Sequence, residues 1–243
     1  MHQWVSILGV RIHAVTLLQA RDMMMHMVQS GLQHHVMTPN PEMLVVAHRD
    51  PHFRALLNSS SLNVPDGAGI LWAARRQGEK LPERVTGIDL LSSVLALPEV
   101  PPVYLLGAAP GVAEKAADIL RQRNPSLHIA GTYSGSPSAY EEKHITEQIH
   151  ASGARILFVA YGAPHQDFWI QRNLPNMPLV CVAMGIGGAF DFLAGIRTRA
   201  PKTFQKLGLE WLWRLFQEPR RFKRILSAVV VFPILVLTQK STP

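Results

Sequence analysis

ARILFVAYGAP, residues 154–164, is an apolar, β-prone run that stops on a Tyr-Gly-Ala-Pro turn. VYLLGAAPG at 103–111 and PLVCVAMGIGG at 178–188 repeat the form. A strand that is apolar at nearly every position is buried on both faces, and such burial belongs to parallel sheets covered by helices. Segments with helical character lie between the runs. The expected fold class is therefore α/β, a Rossmann-like, mostly parallel sheet with helices on both faces. In open sheets of this kind ligands sit outside the carboxyl ends of the strands. Gly107, Gly185 and Gly187, at those ends, are candidates for a ligand wall because a missing Cβ lets backbone approach a bound group. A plain turn is the other reading of each.

Working outward, the helix starts carry recognisable caps. Thr16 and Gln19 have capping-box spacing before LLQARDMMMHMV, and Asn40-Pro41 reads as an N-cap followed by proline at the first helical position. His48 and His52 are four apart, but Pro51 breaks the helix that would set them on one face. No His-Glu-x-x-His occurs, and most of the 11 histidines read as surface or core residues rather than metal ligands.

The length of 243 residues suits one large α/β domain, or one domain with an appendage. Charge separates the two. From Gly195 onward there are 10 Lys/Arg against 2 Asp/Glu, a net +8, whereas the preceding residues carry a net −1. We therefore read 1–194 as the α/β domain and 195–243 as a basic, amphipathic appendage, the part that would meet any polyanion. The single cysteine, Cys181, lies in an apolar run, so disulfides and Cys-rich metal sites are not expected. The N-terminal stretch lacks a basic n-region, and Arg11 and His13 interrupt its apolar run, so a cytoplasmic location is expected. ILSAVVVFPILVLT at 225–238 is short of the roughly 20 residues a spanning helix needs and contains Pro233. It suits a helix lying on a bilayer or packed on protein.

Three absences narrow the chemistry. There is no Walker A sequence. GIGGAF at 185–190 puts Phe190 where a dinucleotide fingerprint needs its third small residue. No Asp-x-Asp pair is present to hold a metal on a sugar diphosphate. Other motifs are positive. MTPNPEMLVVAHRDP (37–51) places Thr38 and Asn40 at a helix N-terminus, where free N–H groups favour an anion, although Asn40 is equally an ordinary cap. NVPDGAGILWAARRQG (63–78) carries Asp66 in a Pro-Asp-Gly sequence that is also an ordinary turn. ERVTGIDLL (83–91) carries Arg84.

With VAYGAPHQDFW (159–169) and MGIGGAFDFLAGIRTRAPKTFQKLGLEWLWRL (184–215), these motifs resemble, in order and spacing, the WecG/TagA/CpsF-type glycosyltransferases. The resemblance runs from about ILGVRI to EPRR. It implies transfer of N-acetylmannosamine or a related sugar from a UDP-sugar to undecaprenyl-diphosphate-linked N-acetylglucosamine, with inversion. Matched motif by motif, it implies a polar substrate pocket at Thr38, Asn40, Asp66, Arg84 and Gln166, with Asp191 a further candidate. The family's Gly-x-Pro-Lys-Gln-Glu is GAPHQD here, so His165 and Asp167 replace Lys and Glu. Asp66 is the expected catalytic base, because a sugar hydroxyl must give up a proton as it attacks. A carboxyl of ordinary pKa, about 3.9, is ionised and ready to accept it at neutral pH. No metal or cofactor is expected. Charge building on the diphosphate would then be met by backbone N–H groups and arginines. Arg84 suits either orientation of Asp66 or contact with phosphate; a surface ion pair is the plain alternative.

The appendage has three readings. LGLEWLWRLFQEP (207–219) sets Leu207, Trp211, Leu212, Leu215 and Phe216 on one helical face, with Glu210 and Arg214 an i,i+4 pair on another. After Pro219, Phe222, Ile225, Leu226 and Val229 share a face, decorated by Arg220, Arg221 and Arg224. A core-capping helix with a solvated basic edge is one reading. A nucleic-acid arm is another, weakened by the absence of basic character in the main domain. The resemblance implies the third: a membrane-docked lid closing the site with Arg214, Arg221 and Arg224, on the inner face of an anionic membrane. We take that reading. A soluble nucleotide-sugar epimerase or dehydrogenase is the alternative enzyme, and it needs a dinucleotide site that GIGGAF supports poorly.

Overall fold

The computed structural model describes residues 3–201, 203–204, 208–219 and 222–239. Its centre is a six-stranded parallel sheet of β3 (His34–Met37), β4 (Leu62–Asn63), β5 (Val103–Gly107), β6 (Ile129–Tyr133), β7 (Ile156–Ala160) and β8 (Val182–Gly185), in the order β4-β3-β8-β7-β5-β6. The three apolar runs of the sequence are β5, β7 and β8, and every residue in them is buried. Their uniform apolarity forces cover on both faces. The hairpin of β1 (Trp4–Ile7) and β2 (Val10–His13) is separate, antiparallel and one-sided, turning Val5, Ile7, Val10 and Ile12 inward.

On one face of the sheet lie α1 (Leu17–Ser30), α5 (Gly87–Leu95), α6 (Val112–Arg123) and α9 (Ala189–Leu193). On the other, α7 (Ala139–Ala151) and α8 (His165–Asn173) cover β5 and β7. The hairpin with α2 (Pro41–Arg49), α3 (Pro51–Ser59) and α4 (Ala68–Arg76) forms a second core cluster around Met37. The capping box at Thr16 and Gln19 is formed, and Asn40 caps α2 by accepting from the Met43 N–H at 3.0 Å. Pro51 does end α2: Asp50 closes that helix and caps α3.

The appendage contains α10 (Glu210–Gln217) and a longer C-terminal helix. That helix runs from α11 (Phe222–Leu226) through a π-helical segment (Ser227–Val231) into α12 (Phe232–Thr238). No helix among the described residues is long and apolar enough to cross a membrane. The 225–238 run divides by face. Phe232 and Val236 are buried in the cluster with α2 and α4, whereas Leu226, Val230, Ile234 and Leu237 are 42–57% exposed. The face drawn from the sequence is thus split, because Phe222 and Leu226 turn outward while Ile225 and Val229 turn back toward α4. Phe216 also departs from its expected face: it is 74% exposed, while Trp211, Leu212 and Leu215 are half-buried. Leu207 lies outside the described residues.

Candidate active site

The two loops that leave β3 and β4 at the carboxyl end of the sheet and the α4–α5 connection run side by side and are laced together through their backbones. Val64 N–H donates to Met37 O at 3.0 Å, Asp66 N–H to Pro39 O at 3.1 Å, and Val85 N–H to Pro65 O at 2.9 Å. Pairing therefore continues beyond β3 and β4 and fixes Thr38, Asn40, Asp66 and Thr86 on one wall of a cleft. The approach is close. Gly67 has φ +108 and a Cβ there would meet Pro41 at 3.3 Å, so a larger residue would separate the start of α4 from the start of α2. The Gly87 N–H points at Asp66, 3.4 Å from Oδ2. The half-buried Asp66 carboxylate thus sits among the N-termini of α2, α4 and α5, where helix dipoles favour negative charge.

The facing wall comes from the ends of β7 and β8. Gln166, 3% exposed, accepts from Gly162 N–H at 3.1 Å and from Gly187 N–H at 2.9 Å, joining the two strand-end loops through one oxygen. Gly185 makes room for this. A Cβ there would lie 2.5 Å from Gln166 Nε2 and 2.7 Å from Asp167 Oδ1. Gly185→Ala is accordingly expected to lower stability by about 1–3 kcal/mol, as overpacking does, and to loosen the Gln166 clamp. Thermal denaturation and turnover should both register it; a variant unchanged in both would remove the clamp from the argument. Asp167 is fully buried, and burial raises its pKa, partly opposed by the nearby His35 imidazole, whose Nε2 is 3.8 Å away. His165 is exposed, so of the two residues that depart from the motif only Asp167 belongs to the packed base of the site.

The appendage supplies the third wall. Arg197, Arg199, Glu210, Trp213, Glu218 and Arg224 line the cleft, and ion pairs tie this wall to the rest. Arg84 pairs with Glu210, Arg199 Nη1 lies 2.6 Å from Asp89 Oδ1, and Arg224 Nε lies 2.5 Å from Glu42 Oε1. Within the wall, Arg197 Nη1 is 2.6 Å from Glu218 Oε1 and 3.7 Å from Asp191 Oδ2. Burial alone would raise the Asp89 pKa, but hydrogen bonds from Arg199 and Thr86 and the charges of Arg199 and Arg84 outweigh it and hold the carboxyl below its usual range. The hydrogen bond to Asp89, opposed by burial, and the charges of Asp89, Glu210 and Asp66 hold the Arg199 guanidinium above its own.

Of the residues expected from the sequence, Thr38, Asn40, Asp66, Gln166, Gly187 and Arg224 meet in this cleft. Arg84 lines the adjoining groove and anchors Glu210, so Glu210 is held by the main domain rather than facing only its own helix. Gly185 and Asp191 stand behind the lining, supporting Gln166 and Arg197. Gly107 lies outside the cleft lining, where β5 and β7 send α6 and α8 to opposite faces. A Cβ on it would come within 2.9 Å of the Ala160 carbonyl carbon, so close strand packing needs this glycine. Arg221 lies outside the described residues, as does the Arg214 side chain. Sequence reasoning missed Arg197 and Arg199, although IRTRAPK begins at Ile196, shortly beyond the glycine turn that ends at Gly188, and is the first basic sequence of the appendage.

Residues 5–243 match the model of the glycosyl transferase WecG/TagA/CpsF family. Over 194 residues the chain is 34% identical to a protein of Bacillus spizizenii strain W23 named N-acetylglucosaminyldiphosphoundecaprenol N-acetyl-beta-D-mannosaminyltransferase. The match covers 79% of this chain and 74% of that protein.

Proposed function

Because this chain belongs to the WecG/TagA/CpsF family of glycosyl transferases, we propose that it moves N-acetylmannosamine, or a closely related sugar, from a UDP-sugar to undecaprenyl-diphosphate-linked N-acetylglucosamine in the making of a bacterial cell-surface polymer. The observation that carries this reading is one cleft with a carboxylate, Asp66, among helix N-termini on one side and the appendage arginines on the other. Asp66 accepts the proton of the acceptor hydroxyl as its oxygen attacks the anomeric carbon. The bond from that carbon to the diphosphate breaks on the opposite face, inverting the centre, and the departing UDP takes the negative charge. Arg197, Arg199 and Arg224 stabilise that charge. Each guanidinium has five N–H donors, so an arginine positioned by Asp89, Glu42 or Glu218 retains donors for phosphate.

A lipid-linked acceptor requires a meeting with the bilayer. The exposed row Phe222, Leu226, Val230, Ile234 and Leu237 supplies an apolar face, and the net +8 of the appendage suits anionic headgroups. We therefore place the working enzyme peripherally on the inner face of the membrane, with 195–243 as docking appendage and lid. Mass analysis of products from a lipid-linked N-acetylglucosamine acceptor and a panel of UDP-sugars tests the reading; no mass gain with any donor would overturn it.

The donor set of the cleft predicts independence from divalent metal. Among the described residues no group of three or more His, Cys, Asp or Glu is arranged to hold a metal ion, and the cleft instead presents arginines. Turnover in excess EDTA is expected to stay within twofold of the untreated rate. Loss of activity on chelation, restored by Mg²⁺ or Mn²⁺, would assign the diphosphate to a metal.

A further inference from the structure

Next to the catalytic cleft runs a second depression of about 420 Å³, within the range of about 300–1,000 Å³ common to small-molecule pockets. Asn40, Glu42, Asp66, Glu210 and Arg224 line both, so the two are continuous at the carboxylate. Beyond that junction the character changes. One wall is α4, with Ala68, Gly69 and Trp72; the other is the C-terminal helix, with Ile225, Ala228, Val229 and Phe232, and Trp211 stands between them. The backbone itself is drawn in to shape this trough. Gly208, at φ +71, approaches so near that a Cβ would sit 3.0 Å from the Ala68 Cβ, and a Cβ on Gly69 would sit 2.8 Å from Pro41. The π-helical segment Ser227–Val231 contributes Ala228 and Val229 to the groove and turns Val230 to the outside, where it joins the exposed row of Leu226 and Ile234.

The groove therefore has two different ends. One opens on Asp66 and Arg224, where a sugar diphosphate would react. Its far wall is a helix whose outer face is an exposed apolar row suited to lipid. A ligand that is anionic at one tip and hydrocarbon along its length satisfies both ends. A peptide would leave backbone N–H and C=O groups unpaired against the apolar walls, which costs binding energy. Resting on the transferase reading above, we infer that this groove takes the first isoprenoid units of the acceptor lipid, lifted from the bilayer along the C-terminal helix. Trp72, Ala228 and Val229 then measure chain length, while Asp66 and the arginines deal with the diphosphate sugar.

The test uses the full-length chain and isoprenoid diphosphates of increasing length, dimethylallyl, geranyl and farnesyl, with inorganic diphosphate as control. Binding is read by tryptophan fluorescence, since Trp72 and Trp211 line the groove. Burial of added hydrocarbon is expected to tighten binding at least about tenfold from dimethylallyl to farnesyl. Two variants act by different means: Ala228→Phe fills the groove and Val229→Asp makes it polar. Each should reduce the chain-length gain to about twofold or less, while circular dichroism reports the fold. Equal affinity for all chain lengths, or a full gain retained in both folded variants, overturns the groove. Transfer to a short-chain acceptor separates the two ideas. Turnover there without any chain-length effect removes the groove and leaves the transferase standing; chain-length-dependent binding with no transfer to any acceptor leaves an isoprenoid site and removes the transferase.

Discussion

Asp66→Asn is expected to lower turnover by about 10²–10⁴-fold, the range that a positioned general base contributes, while UDP-sugar affinity changes little. The amide keeps the volume of the side chain and can still face the helix N-termini, but it cannot accept the acceptor proton as a carboxylate does. Surrounding geometry gives no reason for collapse, because the Asp66 backbone N–H to Pro39 O hydrogen bond, the Gly67 turn and the lacing of Val64 and Val85 do not involve the side chain. Single-turnover rates at saturating donor and acceptor, alongside calorimetric titration with UDP, separate chemistry from binding. Near-wild-type turnover would take Asp66 out of the mechanism. A collapse in UDP affinity with unchanged single-turnover rate would make it a binding residue instead.

Truncation after Ala194 should abolish transfer, to a loss of at least about 10³-fold, because removal of even one preorganised donor of charge stabilisation costs about 10²–10³. The deletion takes Arg197, Arg199 and Arg224 together with Glu210 and the far wall of the groove. It also removes Phe232 and Val236 from the cluster they share with α2 and α4. Each such burial is worth about 1.5–3 kcal/mol, against a typical total of about 5–15 kcal/mol. The remaining sheet and its helices are therefore expected to fold with a lowered melting temperature and a newly exposed apolar patch. Binding to anionic vesicles should disappear with the appendage. Arg214→Glu, Arg221→Glu and Arg224→Glu then divide two roles: a lid arginine lowers turnover even on a soluble acceptor analogue, whereas a headgroup arginine weakens vesicle binding alone, more so at low salt. Arg224→Glu should behave as a lid variant, since it would set like charges together where Glu42 now holds the guanidinium. A truncated protein that binds vesicles and turns over normally would return the appendage to a packing role.

The sequence by itself determined the elements of this protein and their ends. Runs such as ILFVA at 156–160 are apolar without alternation, so they had to be strands covered on both sides, and Thr16, Asn40 and Pro51 set helix starts and breaks through bonds spanning a few residues. Such effects depend on dihedral preference and short-range hydrogen bonding, which the chain carries locally. The motif segments around Thr38, Asn40, Asp66 and Gln166 were legible for a related reason: each stands at a strand end, where an open sheet collects its ligands. What only the tertiary structure decided is which charges meet across the cleft. Arg84 finds Glu210 126 residues away, Arg199 finds Asp89 across 110, and Arg224 finds Glu42 across 182. A guanidinium has no preferred partner along the chain, and its choice is made by distance and shared burial once the helices have packed. The same holds for Gly107, whose missing Cβ is required by the backbone of β7, and for the helix at 222–238, whose apolar residues divide between groove, core and exposed face according to what α2 and α4 place opposite them.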